Sequence, residues 1–475
     1  MTLELVASRL VAPVMGVSLY TWTSVIGAVL AGISGGSFIG GWMADRWDAR
    51  RILGPVMILS GIAAALIIPA LPVLGVALPV LGYPILRVAV PILVVFGIPS
   101  LCIGLISPIL YKVCLNDPSR TGSTVGKLAA SGSLGSIAGT FGTGFFLIPT
   151  LGTRAIVLGV AGALMLLGVV NTAWRNRTVK AMASCLVISA IAFEFVAQQR
   201  AWAGRGVVES AYYSIRISTD EDPVEGKVKK LILDNLIHSA ANPEDPEFLW
   251  YEYERVSAWL IRNCAKPGMR VLVIGGGGYT LPYWIERHYG DAVVEVVEID
   301  PEVTQIALRE FIKGPTKIQT YNEDGRAVFN TMLAQAKYDL VFGDAYNDLS
   351  VPYHLTTLEF AQVIRNHLSE DGIYVANIVD KPNGKFLNAF SNTLAQVFPF
   401  VRILPGSEAA MVGGRSPHLV VAAFRELPFE RWAPTRDVAF PLVARAPEDS
   451  QITLTDDYAP VDNLLLPVFA ERLSR

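Results

Sequence analysis

The feature that most constrains this chain is the uneven placement of its charged residues. Residues 1–200 contain only 13 Lys/Arg and 5 Asp/Glu, whereas residues 201–475 contain 26 and 37. Long uncharged stretches can cross the ~30 Å of hydrocarbon in a bilayer, while the second half has the composition of an ordinary acidic globular domain. The chain therefore cannot form a single water-soluble domain, and we divide it near residue 200.

The first part, residues 1–200, is predicted to be a helical membrane domain. Small residues recur one helical turn apart from Ala28 to Gly40, which predicts a seam where two helices approach closely. Glu4 and Arg9 are expected to form an intramembrane pair. Six to seven spans are expected in all, because stretches long enough to cross a bilayer lie at about 17–42, 52–72, 86–112, 124–149, 155–173 and 179–197.

Basic residues cluster in the predicted loops at 46–51, 112–127 and 175–180. By the positive-inside rule these loops face the cytoplasm, and one more span would then place residue 200 onward outside. The run from Gly40 to Arg46, followed by Arg50-Arg51, resembles the loop between the second and third helices of major facilitator transporters. The resemblance implies half of such a transporter.

The second part is predicted to contain a β-hairpin subdomain at 207–245 and an α/β domain at 246–475. Alternating stretches at Ala211–Ser218 and Val228–Ile237 predict the hairpin. Beyond it, apolar strands alternate with helices, which predicts a doubly wound parallel sheet. The expected strands are Val271–Ile274, Val293–Ile299, Ile318–Tyr321, Tyr338–Phe342 and Gly372–Ile378, with helices at 248–264 and Pro301–Phe311.

A glycine-rich loop and an acidic residue indicate a nucleoside ligand. Gly275–Gly278 follows the first strand, and Glu298 ends the second, where a carboxylate can accept hydrogen bonds from ribose hydroxyls. Tyr279 and Thr280 break the Gly-x-Gly-x-x-Gly pattern, which favours an S-adenosyl ligand over NAD. The alternatives are that Glu298 only caps the next helix and that the loop opens a dinucleotide-binding fold.

Several motifs resemble those of spermidine synthases in order and spacing. They are Gly275-Gly-Gly-Gly-Tyr-Thr, Glu298-Ile-Asp300, Asp324-Gly325, Asp344-Ala-Tyr and Val351–Phe360. They are most similar to the membrane-fused, transporter-like members. The resemblance covers residues 1–475 and implies a β-hairpin followed by a Rossmann-like, methyltransferase-type aminopropyltransferase domain.

The resemblance also implies roles for single residues. Asp344 would take the proton of the attacking amine. Glu298 would bind the ribose, and Asp324 the adenine amino group. The nucleoside site would include Gly275, Gly276, Gly277 and Gly325; the acceptor site would include Tyr253, His238, Tyr346 and Asn347, with Tyr251 as an alternative register for Tyr253.

The resemblance implies no resident cofactor. The co-substrate would be decarboxylated S-adenosylmethionine or S-adenosylmethionine itself, and the product methylthioadenosine. A polyamine acceptor, a lipid bilayer and a homodimeric assembly are the expected partners. The chemistry needs a cytosolic metabolite, so we expect an inner-membrane, multi-pass protein whose catalytic domain is cytoplasmic, although the count of basic loops disagrees.

Three departures leave the acceptor open, and one of them is that the tyrosine of the family's late Pro-Thr-Tyr-Pro segment has no counterpart near Pro405-Gly406. Gly278 stands where soluble members have an aspartate, and Asn347 stands where they have the second acid of the amine site. The sulfonium could instead be cleaved by water or by its own carboxylate. A methyltransferase on the same fold, and a transporter or sensor that only binds an adenosyl ligand, are further alternatives.

Composition excludes other classes of function. The second half has no basic excess, which argues against a nucleic-acid partner. The cysteines at 102, 114, 185 and 264 have no paired spacing, so neither a disulfide framework nor a metal site is expected. The C-terminal run Leu454–Asp462 is expected to pack near the catalytic cleft, where Asp456 or Asp457 could supply negative charge.

Overall fold

The computed structural model describes two compact units, Met1–Ser214 and Ile215–Arg472. Residues outside the description are 16–18, 72–83, 116–119, 173–206, 223–225, 235, 243, 246, 347–350, 412, 414, 434–437, 439, 449 and 473–475. The predicted span at 179–197 and the basic loop at 175–180 therefore lie outside the described residues.

The first unit is helical. Its helices are α1 (Thr2–Met15), α2 (Leu19–Arg46), α3 (Ala49–Ala65), α4 (Pro84–Ile92), α5 (Ile98–Gly104), α6 (Ile106–Cys114), α7 (Thr121–Gly142), α8 (Ile148–Leu151) and α9 (Thr153–Asn171). Leu93–Gly97 and Thr143–Leu147 are π-helical turns, and Val207–Glu209 is a short strand, β1.

Three helices in the described part of the chain are long and apolar enough to cross a bilayer: Leu19–Arg46, Val88–Cys114 and Thr153–Asn171. The six to seven predicted spans are therefore not confirmed. The stretch predicted at 52–72 is interrupted, because α3 has 17 residues and ends at Ala65. The stretch predicted at 124–149 falls mainly on α7, where many Gly, Ser and Thr residues lower the hydropathy.

The predicted small-residue seam on α2 is confirmed. A Cβ atom at Gly32 would lie 2.5 Å from the carbonyl oxygen of Gly97, and one at Gly40 would lie 2.6 Å from that of Leu105. At Gly36 it would collide with the carbonyl oxygen of Leu101. Only glycine lets the two backbones approach this closely.

The predicted pair between Glu4 and Arg9 is wrong. No ion pair joins them within the described residues, and Arg9 donates to the carbonyl oxygen of Ser210 at 2.8 Å. Five residues apart on α1, the two side chains are rotated by about 140° from each other, so they do not share a face of the helix.

The second unit begins with an antiparallel array of three strands. These are β2 (Ser214–Asp222), β3 (Gly226–Leu233) and β4 (Leu236–Ala241). The predicted hairpin is present, but Ile237 belongs to the third strand rather than the second. Asp234, with φ of 53°, turns the chain between β3 and β4.

The remainder is an α/β domain around a seven-stranded sheet in the order β10-β11-β9-β8-β5-β6-β7. The strands are β5 (Arg270–Ile274), β6 (Val293–Val297), β7 (Gln319–Tyr321), β8 (Tyr338–Gly343), β9 (Leu368–Asp380), β10 (Phe400–Pro405) and β11 (Ser416–Ala423). The helices are α10 (Glu252–Cys264), α11 (Thr280–His288), α12 (Pro301–Glu310), α13 (Leu358–His367), α14 (Lys385–Ala395), α15 (Glu408–Met411), α16 (Val461–Leu464) and α17 (Leu466–Arg472).

The predicted doubly wound sheet is present, with one correction. The five strands from β9 to β7 are parallel, but β11 runs antiparallel to both β9 and β10. Both faces of the sheet are buried: Leu272 and Ile274 pack on one side, and Val271 and Val273 on the other. This two-sided burial explains why the central strands are continuously apolar.

Candidate active site

The glycine loop and Asp344, the candidate catalytic residue, lie next to each other at the carboxyl edge of the sheet. β5 lies between β6 and β8, and the Asp344 amide donates to the carbonyl oxygen of Ile274 at 2.8 Å. Gly275 has φ of 97°, and a Cβ atom there would collide with the backbone carbonyl of Asp344. A side chain at this position would therefore push the two loops apart.

Glu298 faces the glycine loop. The residue is 7% exposed. Its Oε2 accepts from the Gly276 amide at 2.8 Å, and its Oε1 from the Asp300 amide at 3.0 Å. Burial raises the pKa of Glu298 although these amides favour its ionised form. The cap of the next helix is Asp300, whose Oδ1 accepts from the Glu302 amide, so the capping explanation for Glu298 is wrong.

Ser239, a residue that the sequence did not single out, accounts for the glycine at position 278. Its hydroxyl accepts from the Gly278 amide at 2.7 Å. A Cβ atom on Gly278 would lie 2.6 Å from the Ser239 Cβ atom. An aspartate at position 278, which the resemblance would lead one to expect, would therefore not fit against Ser239 on β4.

Gly277 completes the loop beside β4. It also has a positive φ, 50°, and its amide lies 3.4 Å from Glu298 Oε2. His238, which precedes Ser239, is half-buried, and its partial removal from water lowers its pKa to about 4. His238 is therefore neutral at pH 7.

Asp324 lies at the turn after β7 and already has close partners. Its Oδ1 accepts from the amides of Arg326 and Ala327, each at 2.9 Å. Its Oδ2 lies 2.8 Å from His354 Nε2. These bonds, of which the one to His354 has the largest effect, hold the pKa of Asp324 well below its usual range. A Cβ atom on Gly325 would lie 2.6 Å from Ile274, so this turn also packs against β5.

The C-terminal run docks on this same turn. Arg326 forms a bidentate pair with Asp456 at 2.6 and 2.7 Å, and Thr357 also donates to Asp456, at 2.8 Å. The Arg326 guanidinium therefore compensates the charge of Asp456, whereas Asp457, the other residue expected to supply negative charge, is exposed. The packing of the run is confirmed: Leu454 is fully buried in the core of the second unit.

Asp344 has two side-chain donors. Tyr253 donates its hydroxyl to Oδ2 at 2.9 Å, and Asn377 donates its Nδ2 to Oδ1 at 2.8 Å. Burial raises the pKa of Asp344 to about 6, although both hydrogen bonds oppose the shift. A carboxyl group with this pKa is ionised at pH 7 and still basic enough to accept a proton.

Tyr251 and Tyr253, at the start of α10, have separate partners. Tyr251 donates to the carbonyl oxygen of Ile237 at 2.6 Å, so the structure places Tyr253 rather than Tyr251 on Asp344. Glu254 lies in the first turn of α10. Its carboxylate accepts hydrogen bonds from the Tyr251 amide and from the hydroxyl of Thr280, the first residue of α11. Burial raises the pKa of Glu254 to about 7.

The remaining candidates have different surroundings. Tyr346 donates to the carbonyl oxygen of Asn377 at 2.5 Å and accepts from the Val379 amide at 3.0 Å, which ties the loop after β8 to β9. Asn347 lies outside the described residues. No group of three or more His, Cys, Asp or Glu in the described ranges could hold a metal ion.

An apolar cavity opens on the sheet face that carries Tyr374 and Ala376. Its empty volume is ≈ 300 Å³. It is lined by Ile274, Gly343, Ala345, Val351, Leu355, Phe360, Tyr374, Ala376, Asn377, Ile378 and Phe390, none of which is charged.

Residues 261–402 match the family described as the spermine/spermidine synthase domain. The polyamine aminopropyltransferase of Vibrio vulnificus is 36% identical over 139 residues, 29% of this chain and 46% of that protein. The probable polyamine aminopropyl transferase of Bifidobacterium longum is 32% identical over 129 residues, 27% of this chain and 28% of that protein. The chain thus spans less than half the length of these relatives, and its second unit is homologous to transferase enzymes.

Other similarities are more distant. An eEF1A lysine and N-terminal methyltransferase of Xenopus laevis is 28% identical over 172 residues, 33% of this chain and 25% of that protein. Among solved structures, a probable spermidine synthase from Corynebacterium glutamicum superposes with a TM-score of 0.47 at 17% identity, over 54% of this chain and 98% of that one.

Proposed function

We propose that the chain is a polyamine aminopropyltransferase that transfers an aminopropyl group from decarboxylated S-adenosylmethionine to an amine and releases methylthioadenosine. The observation that carries this proposal is the environment of Asp344. Its carboxylate lies beside the glycine loop, is held by Tyr253 and Asn377, and has a pKa raised to about 6 by burial. Homology of the segment 261–402 to aminopropyltransferases supports the same activity.

The reaction is a displacement at the methylene carbon next to the sulfonium sulfur. The lone pair of the amine forms the new C–N bond, the C–S bond breaks, and its electron pair stays on sulfur as a neutral thioether. The amine nitrogen, now cationic, gives its proton to Asp344. The amine must arrive neutral, because an alkylammonium, with a pKa of ~10.4, has no lone pair. The ionised carboxylate then accepts the single proton that the nitrogen loses after the C–N bond forms.

The nucleoside would bind along the carboxyl edge of the sheet. Glu298 retains acceptor capacity for ribose hydroxyls, because a carboxylate offers about four acceptor sites and backbone amides use only some of them. Asp324 would face the adenine amino group, with His354 already on its Oδ2. These roles follow from the resemblance and from the position of each residue at a strand end.

The first unit supports a membrane role. We propose a multi-pass inner-membrane protein with a cytoplasmic catalytic domain, assembled as a homodimer. Three apolar helices of sufficient length support membrane insertion. The cytoplasmic side follows from the chemistry, because the proposed sulfonium donor and polyamines are cytosolic metabolites. A protease-protection assay on sealed inverted vesicles would test the orientation.

The activity test uses the full chain in detergent, supplied with decarboxylated or intact S-adenosylmethionine, with and without putrescine. We expect methylthioadenosine and spermidine by mass spectrometry only with the decarboxylated donor and amine together. S-adenosylhomocysteine would instead indicate a methyltransferase. Methylthioadenosine formed without amine would indicate simple cleavage, and binding without turnover would indicate a sensor or transporter.

Asp344→Asn should lower turnover by about 10²–10⁴ while donor binding is retained. The matched control is Asp339→Asn on the same strand, where the carboxylate bonds Lys266 and the Arg270 amide away from the site. Equal activity of the Asp344→Asn variant and the wild type would contradict the proposal.

A further inference from the structure

Asn377, on β9, has a side-chain oxygen without a hydrogen-bond partner among the described residues, beside Asp344. The residue is only 4% exposed. Its Nδ2 donates to Asp344 Oδ1 at 2.8 Å, but its Oδ1 has no hydrogen-bond partner among the described residues. A buried polar atom left unpaired costs about 1–3 kcal/mol. Asn377 also lines the apolar cavity described above, so its unpaired oxygen is a candidate ligand contact.

The position of this oxygen is restricted by the amide group itself. The side-chain nitrogen and oxygen of Asn377 are bonded to the same carbon. Because the nitrogen donates to Asp344, the oxygen also lies close to that carboxylate. Tyr253 occupies the other oxygen of Asp344. The neighbourhood therefore offers one proton-accepting carboxylate and one neutral acceptor side by side.

We propose that Asn377 Oδ1 binds the acceptor amine, and that the site thereby selects a neutral primary amine. This inference rests on the proposed function. A neutral primary amine has one lone pair and two N–H groups. With the lone pair directed at the methylene carbon, one N–H points to Asp344 and the other to Asn377 Oδ1. When the C–N bond forms and the C–S bond breaks, Asp344 receives one proton, and Asn377 keeps the remaining N–H.

The neutral character of Asn377 suits this task. A second carboxylate in its place would favour the protonated ammonium form, which cannot attack. An amide oxygen accepts an N–H without adding negative charge, so it favours the reactive form. A secondary amine offers only one N–H and would leave Asn377 Oδ1 or Asp344 unpaired, which predicts discrimination against secondary amines.

The test compares two acceptors in the full chain: putrescine, and N,N′-dimethylputrescine, in which both ends are secondary amines. Asn377→Leu removes the amide while keeping a similar volume. We expect kcat/KM for putrescine to fall about 10- to 100-fold, the scale of a hydrogen bond to a reacting group. Activity with the dimethylated amine should fall much less, and calorimetric affinity for the donor should be unchanged.

The matched control is Asn388→Leu on α14. Asn388 is 8% exposed and also has an unpartnered Oδ1 in the described part of the chain, but its Nδ2 faces Glu448. This variant should retain the preference for putrescine. If Asn377→Leu fails to fold, as judged by circular dichroism, Asn377→Ala provides the same comparison.

A pH profile separates amine binding from an effect through Asp344. Loss of the Nδ2 donor raises the pKa of Asp344, and an effect of that kind alone disappears well above pH 7. A putrescine-specific loss that persists at pH 9 supports the inference. Full recovery at pH 9, or equal losses for both amines, overturns it and leaves the proposed function standing. Wild-type protein that transfers to neither amine overturns both.

Discussion

The carboxyl group of Asp344 accepts hydrogen bonds from one hydroxyl and one amide, which lower its pKa. Burial raises the pKa by more than these bonds lower it. Its pKa is raised to about 6, above the ~3.9 of a free aspartate. The ionised form therefore weakens the folded state. Asp344 contributes its full stability below pH ~4, and this contribution is lost as the pH rises through about 6.

Asp344→Asn should therefore stabilise the chain at pH 7.5, by about 1–3 kcal/mol, and change little near pH 4. Wild-type activity should fall as the pH drops below about 6, where the base is protonated. Thermal unfolding of the variant and the wild type across this pH range measures the first effect. Asp339→Asn should show the opposite sign, since the net shift of the Asp339 pKa is downward: burial opposes it, but bonds from Lys266, Arg270 and Ser369 prevail.

Glu298→Gln is expected to weaken donor binding by about 1–3 kcal/mol, the scale of a lost charge-assisted hydrogen bond, while the fold persists. Isothermal titration with S-adenosylmethionine or its decarboxylated form measures the change. Glu302→Gln, on the first turn of α12, is the control. Unchanged affinity of the Glu298 variant would remove this residue from the nucleoside site.

At the level of elements, glycine determines how closely α2 packs in the first unit. Gly32, Gly36 and Gly40 each leave no room for a Cβ atom against the backbone of α5 and its flanking residues. Gly27, on the same helix, has nothing within 4 Å of the position of a Cβ atom. The same helix thus carries three glycines that need the space of a missing Cβ atom and one, Gly27, that does not.

Gly36→Ala should lower the stability of the first unit by about 1–3 kcal/mol, because one added methyl group overpacks the seam. Gly27→Ala should be neutral or slightly stabilising, since alanine is the better helix former. Thermal unfolding in detergent, followed by far-UV circular dichroism, compares the two variants. Equal unfolding temperatures would show that the seam tolerates the methyl group.

At the level of the whole molecule, the C-terminal run is part of the second unit rather than a free tail. The core formed with β8, β9, α13 and α14 buries Leu454 and Val461 of this run, and Leu464, Leu465 and Val468 after it. The Arg326–Asp456 pair joins this run to the turn that carries Asp324. The run therefore supports by packing the side of the proposed site that carries Asp324.

Asp456→Asn should destabilise the second unit by about 1 kcal/mol, the upper range for a partly exposed ion pair with good bidentate geometry. Asp457→Asn, at the exposed neighbouring position, should not. Neither variant should alter the dependence of rate on amine concentration at low salt. Chemical unfolding and steady-state kinetics measure the two effects, and a rise in the amine KM for Asp456→Asn would restore a charge-steering role.

The regular elements of the second unit were largely predictable because their signals are local. Apolar runs bounded by glycine and acidic residues located β5, β6 and β8 to within a residue or two of their observed ends. The reversal of β11 was not predictable, since an apolar run has the same composition in either direction. The number of spans in the first unit is not confirmed, because three helices of the described residues are long and apolar enough to cross a bilayer and the span expected at 179–197 lies outside the described residues.

Three features could be predicted from the residues alone: the division into an apolar and a charged part, the doubly wound α/β class and the order of its acidic strand ends. These follow from composition and from short-range periodicity. Long-range packing, by contrast, brings Asn377 and Tyr253 to Asp344, Ser239 beside Gly278, and Arg326 to Asp456. These contacts join residues 33 to 130 positions apart, and no local pattern encodes which distant side chain reaches a given carboxylate.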